Sequence, residues 1–328
     1  MDPAPFVRGC AFRPATGVPY PRADPRDSSR LPADTWATAT IPATVRLEFV
    51  GDATEIELGY ETSTDDMGYR GDGAGRTFEL WRRGERVSHA PAVLGQGSVR
   101  LSAGRADGGP ATVYLPEGMM PTVRTISATG GSIEPAPLSP RWYAYGDSIL
   151  EGWVASGPSA AWPAVASRQL GLDVFNFGYA GSARGEIASA EQIASLPPPA
   201  VMTVTHGTNC WTRVPFSVGM MRATTEAFLD ILRQAFPDSP LVVASPVLRP
   251  DAEATPNRLG ATLADLRAAM EDVTRERAGR DRRVTLVPGA GIVCAEQLPD
   301  GIHPGDEGHV ALAAVIGAAV ASALEGAT

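Results

Sequence analysis

The segment RWYAYGDSILEGW, residues 141–153, passes from an apolar run through Gly-Asp-Ser into a stretch with helical character. The run at 142–145 predicts a strand buried on both faces, as in a parallel sheet that helices cover on both sides. Ligands of such sheets bind beyond the carboxyl ends of the strands. Ser148 occupies that position, so it is either an ordinary helix cap or a serine placed to attack a substrate.

The same rhythm of an apolar run followed by a helical pattern is repeated towards the C-terminus. Four more continuously apolar runs predict strands: DVFNFG, AVMTVTHG, PLVVASPV and RVTLVPGA. One predicted helix follows a Ser217 cap. A second carries an apolar stripe at helical spacing, formed by Leu259, Leu263, Leu266, Met270 and Val273. This alternation predicts a three-layer α/β/α domain with a parallel sheet and right-handed crossovers.

The chain changes character at SIEPAPLSPR, residues 132–141, where prolines interrupt any regular pattern. Short segments before it alternate apolar and polar residues, as in TVRLEFVG and RTFELWRRG. None of these segments has helical periodicity. They predict an all-β sandwich. Residues 1–40 are rich in Pro and Arg and predict an extended arm laid over one domain. The expected domains are 1–135, the arm and a jelly-roll-like sandwich, and 136–328, the α/β/α domain.

The composition excludes several classes of function. The 328-residue chain has a net charge of −9 and a pI near 5.0, which argues against nucleic-acid and anionic-membrane partners because both attract basic surfaces. It contains no lysine, which excludes Schiff-base and pyridoxal-phosphate mechanisms. Cys10, Cys210 and Cys294 are odd in number and widely separated, so neither a disulfide framework nor a zinc site is indicated. No metal and no cofactor are expected.

The two ends of the chain also carry expectations. The start, MDPAPFVRGC, lacks the basic and apolar regions of a secretory signal, which predicts a cytoplasmic protein. The longest apolar run, residues 310–324, is shorter than the roughly 20 residues that span a bilayer and is mostly Ala and Gly. It predicts a buried terminal helix. The oligomeric state is left open.

Polar blocks stand at four predicted strand ends or in nearby loops: GDSILEGW, NFGYAG, GTN and DGIHP. In this order they resemble the blocks of the SGNH or GDSL hydrolases, a family of serine esterases. The resemblance extends over residues 142–324. It implies that Ser148 is the nucleophile and that His303 and Asp300 complete a catalytic triad.

The same resemblance implies an oxyanion hole formed by the backbone N–H groups of Ser148 and Gly181 and by the side-chain amide of Asn209. A tetrahedral intermediate places negative charge on the carbonyl oxygen, which preorganised donors stabilise. Glycine fits position 181 because a side chain there could crowd the substrate carbonyl. His303 suits the role of base because imidazole titrates near neutral pH, and Asp300 in the same loop can fix its tautomer.

Each residue also has an ordinary structural interpretation. Asp147 and Ser148 are both favoured helix caps, Asn209 is a common turn residue, and Gly181 suits many loops. His303 precedes a proline and could be structural. His206 flanks a predicted strand end and is the alternative base, although lining or ordering the site is the preferred role.

The possible pocket residues are Asp147, His206 and Trp211, together with the aromatic residues Trp153 and Trp162. Many members of the family carry aspartate directly after G-T-N, whereas Cys210 follows here, which puts the local hydrogen bonding in doubt. A small buried hydrophobe is the expected role of Cys210.

Three hypotheses for function remain open. The first is an esterase that releases a short acyl group from a carbohydrate or small metabolite, with acetyl as the group that the resemblance implies. It rests on the likeness of a jelly-roll followed by an SGNH domain to carbohydrate esterases. The second is a broader acylhydrolase, thioesterase or acyltransferase acting on a lipid or natural product. The third is a non-catalytic binding module. The expected partner is a small-molecule or saccharide ester.

Overall fold

The computed structural model describes residues 1–65, 75–104 and 108–326. The strands within these ranges are β1 Val7–Arg8, β2 Arg46–Gly51, β3 Glu55–Thr62, β4 Thr77–Arg82, β5 Glu85–Pro91, β6 Gly95–Ser102, β7 Gly108–Tyr114, β8 Pro121–Thr129, β9 Ile133–Pro135, β10 Arg141–Gly146, β11 Asp173–Gly178, β12 Val201–Thr205, β13 Leu241–Ala244 and β14 Val284–Val287. The α-helices are α1 Ala33–Ala39, α2 Ser148–Glu151, α3 Trp162–Leu170, α4 Ile187–Ala194, α5 Val218–Ala235, α6 Leu263–Ala278 and α7 Asp306–Glu325.

Strands β10 to β14 form a five-stranded sheet in the order β11-β10-β12-β13-β14, and every pairing in it is parallel. One face packs against α4, α5 and α6, and the other face packs against α2, α3 and α7. Both faces are therefore dry, which explains why the strands are continuously apolar in sequence. The predicted three-layer α/β/α domain is confirmed.

The register of this sheet places three carboxyl ends at one level. Gly146 at the end of β10 is paired with Gly178 of β11 and with Thr205 of β12. The loops that leave these three strands therefore lie side by side, with the loop after β10 in the middle. This is the edge at which the polar blocks of the sequence meet.

Residues before β10 form two antiparallel sheets that enclose a core of their own. One sheet runs β1-β2-β7-β4-β5 with β9 paired to β2, and the other runs β6-β3-β8. Alternate residues such as Leu47, Leu58 and Leu80 enter the core between them. The predicted β-sandwich is confirmed, and the boundary predicted after residue 135 lies between β9 and β10.

The N-terminal arm differs from its expectation in two ways. It contains a short helix, α1, where the sequence predicted no helix. It also contacts both domains and not one, since Phe6 enters the sandwich core whereas Phe12 and Leu31 enter the core of the α/β/α domain. The arm thus contributes side chains to the hydrophobic cores of both domains.

The two predicted long helices are present, with one error at a boundary. Ser217 caps α5 as expected, because its Oγ accepts a hydrogen bond from Met220 N at 3.2 Å. Helix α6 begins only at Leu263, where Thr262 and Asp265 form a capping box. Leu259 precedes the helix and is 51% exposed, so its assignment to the apolar stripe was wrong.

The terminal helix α7 has the length and hydropathy of a membrane-spanning helix, and 39% of its apolar window is buried within the protein. Leu312, Ile316 and Val320 on one face pack into the core beside the parallel sheet. A helix that packs in a protein core meets the same criterion. Length and hydropathy alone are therefore weak evidence that α7 spans a membrane.

Candidate active site

The short helix α2 begins at Ser148 directly after β10. Asp147 caps it, since its Oδ1 accepts a hydrogen bond from Ile149 N at 3.1 Å. The turn before it requires glycine, because a Cβ on Gly146 would lie 2.3 Å from Thr205 Oγ1. The ordinary interpretation of Asp147 as a cap is therefore correct, and it leaves the 5% exposed Ser148 at the start of the helix.

The loop before α7 brings an imidazole and a carboxylate to this serine. His303 Nε2 lies 2.8 Å from Ser148 Oγ, and His303 Nδ1 lies 2.6 Å from Asp300 Oδ2. The other carboxylate oxygen, Asp300 Oδ1, accepts hydrogen bonds from His303 N at 2.7 Å and Ile302 N at 2.9 Å. The three predicted residues thus form a continuous hydrogen-bonded relay from carboxylate to hydroxyl.

Two carboxyl groups at the site, one of them in the relay, have pKa values shifted from the ordinary value of aspartate. Partial burial alone would raise the pKa of Asp300, but hydrogen bonds from the His303 backbone, the His303 ring and Ile302 N together lower it. Burial raises the pKa of Asp147, against the opposing effects of its hydrogen bond from Ile149 and the nearby His303. Asp300 is therefore the carboxylate suited to remain ionised beside the imidazole.

Gly181 and Asn209 lie in the loops that flank the serine, because β11 and β12 are the neighbours of β10. Asn209 sits in a 3-10 turn at Thr208–Trp211, where its Nδ2 donates to Ala183 O at 3.4 Å. An amide NH2 group carries a second donor hydrogen that this contact does not use. Ser148 is the first residue of α2, so its own N–H has no acceptor within the helix.

The backbone at 181 gives a reason for glycine beside the expected crowding of a substrate carbonyl, which stays a prediction. A Cβ at this position would meet no atom within 4 Å, so nothing in the protein excludes a side chain. The backbone φ is +69°, a left-handed conformation that glycine adopts without strain. Glycine at 181 is needed for the turn that aims the backbone of this loop.

Residues 144–311, just over half of the chain, match the GDSL-like lipase/acylhydrolase family. The chain belongs to this family. It is accordingly an enzyme, an acylhydrolase of the GDSL type with the serine of its first block at Ser148. No curated protein matches the sequence.

Solved structures share the fold of this GDSL enzyme over nearly its whole length. A salicylyl-acyltransferase from a tetracycline biosynthetic pathway matches with a TM-score of 0.81 and 23% identity, over 94% of this chain and 92% of that chain. A candidate GDSL-like lipase from Bacteroides ovatus matches with a TM-score of 0.80 and 21% identity, over 98% and 96%. A family two carbohydrate esterase from Clostridium thermocellum, solved with cellohexaose, matches with a TM-score of 0.62 and 16% identity, over 86% and 92%.

His206, the alternative base, lies outside the relay of this GDSL hydrolase. It is fully buried, and its ring packs against Tyr145 and Phe228 at centroid distances of 5.6 and 6.0 Å. Burial lowers the pKa of His206 to about 4. Neither ring nitrogen has a hydrogen-bond partner among the residues that the structure describes. His206 is thus part of the core below the site, and the expectation that it lines a pocket was wrong.

The tryptophans divide between site and core. The Trp153 ring lies against His303 with a centroid distance of 5.7 Å. Trp162 packs on Trp142 in the core, so the expectation of a pocket wall there was wrong. Trp211 is partly exposed, donates from Nε1 to Thr255 O at 2.8 Å, and is covered by the Arg249 guanidinium.

Cys210, at the position where many GDSL hydrolases carry aspartate, is fully buried. Burial raises the pKa of its thiol well above the usual range, so the sulfur is kept as a neutral thiol. The interpretation as a small buried hydrophobe agrees with this environment. No group of three His, Cys, Asp or Glu side chains that could hold a metal ion occurs in the described ranges.

Sequence reasoning missed the charged groups that support the site from below. Glu151 at the end of α2 accepts a hydrogen bond from Ala180 N at 2.9 Å, next to Gly181. Arg22 of the arm pairs with Glu151 at 3.4 Å. The available signal was a single acidic residue inside the otherwise apolar ILEGW, but nothing in the pattern of the arm indicated its partner.

Proposed function

We propose that this GDSL enzyme hydrolyses a short-chain acyl ester, with acetyl as the first candidate, of a carbohydrate or small metabolite through an acyl-enzyme on Ser148. The observation that carries the proposal is the relay from Asp300 through His303 to Ser148, at 2.6 and 2.8 Å. A serine hydroxyl becomes a useful nucleophile only when a neighbouring base accepts its proton. His303 is held at the distance that this transfer requires.

The relay defines the order of proton transfers. With Nδ1–H donating to Asp300, His303 Nε2 is the free base that accepts the proton of Ser148 Oγ as the oxygen attacks the ester carbonyl. The tetrahedral intermediate collapses when the same proton is delivered to the leaving alkoxide, which departs as an alcohol. Water then attacks the acyl-Ser148 ester in the same way, releasing the carboxylic acid and restoring the serine.

Charge on the carbonyl oxygen requires separate donors. We assign this role to the N–H groups of Ser148 and Gly181 and to the Asn209 amide, which stand at three neighbouring strand ends. Donors fixed by the fold do not need to reorganise during the reaction, which is why they stabilise an intermediate more than water does.

The choice of a sugar ester is supported by architecture. The family two carbohydrate esterase solved with cellohexaose matches 86% of this chain, a share that extends beyond the hydrolase domain into the β-sandwich. An acetyl xylan esterase from Butyrivibrio proteoclasticus matches over 86% of this chain with a TM-score of 0.58. These likenesses support the class of substrate and leave its identity to experiment.

A second candidate, acyl transfer to an apolar acceptor or hydrolysis of a larger acyl group, is favoured by one surface feature. The segment that leads from Asn209 into α5 and the loop packed against it expose several large apolar side chains: Val214, Val218, Met220 and Leu259. The salicylyl-acyltransferase has the same fold over 94% of this chain. Exposed apolar side chains that follow Asn209 along the chain would suit a bulky hydrophobic substrate.

Hydrolysis of p-nitrophenyl esters from acetate to decanoate, by the wild type and Ser148→Ala side by side, tests both candidates. Activity confined to short chains and lost in the variant supports the esterase and leads to acetylated sugars as the next substrates. A preference for long or aromatic acyl groups favours the second candidate. Equal activity in both proteins would refute Ser148 as the nucleophile.

A further inference from the structure

Strand β4 of the sandwich presents a buried carboxylate to the other domain. Phe78 and Leu80 enter the sandwich core, so Glu79 between them points to the opposite face of the sheet. A residue on the outer face of a sandwich is normally solvated, yet Glu79 is only 2% exposed. The hydrolase domain covers it, and a buried charge must be compensated by the groups that contact it.

Two partners of Glu79 belong to one loop of the hydrolase domain, residues 152–161, which we call the Trp153 loop. Ser159 Oγ donates to Glu79 Oε2. Gly157 packs so closely that a Cβ there would lie 2.2 Å from Glu79 Oε1. From the sandwich side, Trp81 Nε1 donates to Oε2 at 3.4 Å and Arg86 Nη1 donates to Oε1 at 3.5 Å. The carboxylate therefore joins the two domains at the middle of the Trp153 loop.

The other end of the Trp153 loop contacts the catalytic histidine. Trp153 lies against the His303 ring at 5.7 Å, and Ser156 donates from its backbone N–H to Asp306 Oδ1 at 2.7 Å. Asp306 is the first residue of α7, the helix that directly follows the His303 loop. The loop thus runs from the base of the relay to the sandwich.

The Trp153 loop has a strained backbone, which contacts with residues outside the loop must stabilise. Val154 has φ +68°, which is sterically unfavourable for a β-branched residue. Such a conformation persists only where the surroundings fix it. Several contacts from outside the loop fix it here. Asp306 binds Ser156, Glu79 binds Ser159, and the backbone of Trp153 contacts Ser148 O and His309 Nε2 at 2.9 and 3.4 Å.

We propose that Glu79 is a positioning residue for the esterase: its carboxylate fixes the Trp153 loop so that Trp153 keeps the His303 ring aligned with Ser148. This inference rests on the proposed nucleophilic role of Ser148, and it gives the sandwich a task in catalysis. The negative charge matters because a hydrogen bond from Ser159 to a carboxylate is stronger than one to a neutral amide. A small displacement of a general base is costly, on the order of 100-fold in rate per ångström.

The test is Glu79→Gln, which keeps the size of the side chain and removes its charge. Two rates are measured: phosphonylation of Ser148 by a fluorophosphonate probe, and turnover of p-nitrophenyl acetate per probe-titrated site. We expect both rates to fall about tenfold or more, with KM within about twofold. Because titration counts only folded sites, a merely structural role would lower the number of sites and leave the rate per site unchanged.

Two further variants make the result decisive. Glu85→Gln removes an exposed carboxylate from the neighbouring strand β5 and should react and turn over like the wild type. Ser159→Ala removes the same hydrogen bond from the side of the loop and should lower turnover per site, with the double variant no slower than Glu79→Gln alone. If Glu79→Gln does not fold, Ser159→Ala decides the question.

The outcomes separate the two proposals. A wild type that the probe does not label refutes the role of Ser148. A labelled wild type whose Glu79→Gln and Ser159→Ala variants turn over at an unchanged rate per site refutes the role of Glu79 and leaves the esterase proposal intact.

Discussion

Arg22 and Glu151 form a salt bridge of 3.4 Å whose side chains are 1% and 0% exposed. Arg22 also donates to the backbone carbonyls of Asn176 and Gly178 at the end of β11. This one pair therefore connects the arm, the helix that carries Ser148 and the loop that carries Gly181.

Glu151→Gln should destabilise the protein because it leaves the Arg22 charge buried without a counter-ion. The expected loss is about 3–5 kcal/mol in the free energy of unfolding, measured by urea denaturation. The matched control is Glu61→Gln, whose exposed pair with Arg124 at 2.8 Å should contribute about 1 kcal/mol or less. Equal losses in the two variants would contradict the importance of burial.

Much of the fold was predictable because its elements depend on local pattern. The five parallel strands, the Ser217 cap and the alternating strands of the sandwich all follow from hydrophobic periodicity. Helix α1 and the boundary of α6 at Leu263 were missed for physical reasons. A helix of seven residues has little intrinsic stability and forms here by packing, and the chain before Thr262 makes a turn that hydropathy does not record.

The catalytic residues were predictable from the sequence, whereas the buried charged residues that hold the site in place were not. Ser148, Asp300 and His303 were found because their spacing and order form a resemblance to known blocks. Arg22, Glu79 and Glu151 were not found, since their burial depends on contacts between distant segments. His206 was misplaced because a strand end predicts the neighbourhood of a site and not the direction of a side chain.

Replacement of the relay residues should affect turnover in a graded way. Ser148→Ala and His303→Ala are expected to abolish ester cleavage, whereas Asp300→Asn should leave a residual rate about 10²–10⁴-fold below the wild type, because orientation of the ring is impaired and the base remains. The measurement is kcat with p-nitrophenyl acetate. His89→Ala, on the exposed side of β5, is the control and should be fully active. Full activity in His303→Ala would remove it as the base.

Asn209→Ala should lower kcat by about 10²–10³ while changing KM little, because its amide acts on the charge that develops in the transition state. Within the described ranges that amide donates one long hydrogen bond, of 3.4 Å to Ala183 O, so its removal should cost little stability. Steady-state kinetics and a thermal melt on the same preparation check both parts. A change in kcat of less than threefold would exclude this side chain from the oxyanion hole.

The stability of the wild type should depend on His206 between pH 6.5 and about 4. The unfolded chain binds a proton at this residue below its ordinary pKa of 6.5, whereas burial keeps the folded residue neutral until about 4. Protonation therefore favours the unfolded state, and stability falls as the pH is lowered through this window, by about 3 kcal/mol at most.

His206→Phe should remove this part of the pH dependence, because phenylalanine does not titrate. The comparison is the urea midpoint of the two proteins at pH 7.5, 5.5 and 4.5, with His89→Phe as the exposed control. Parallel pH profiles for wild type and His206→Phe would show that the buried imidazole does not contribute.

The arm that enters both cores has a consequence for how the chain folds. Phe6 belongs to the sandwich core and Phe12 to the core of the hydrolase domain, while Met1 N donates to Ile126 O. During synthesis the arm leaves the ribosome before either domain is complete, and its packing partners in the hydrolase domain, such as Phe177 beside Phe12, are made later. The arm can therefore pack into the hydrolase core only after that domain has been synthesised. Unfolding of either domain would release the arm and expose apolar residues in the core of the other. We expect the two domains to melt together, in one cooperative transition.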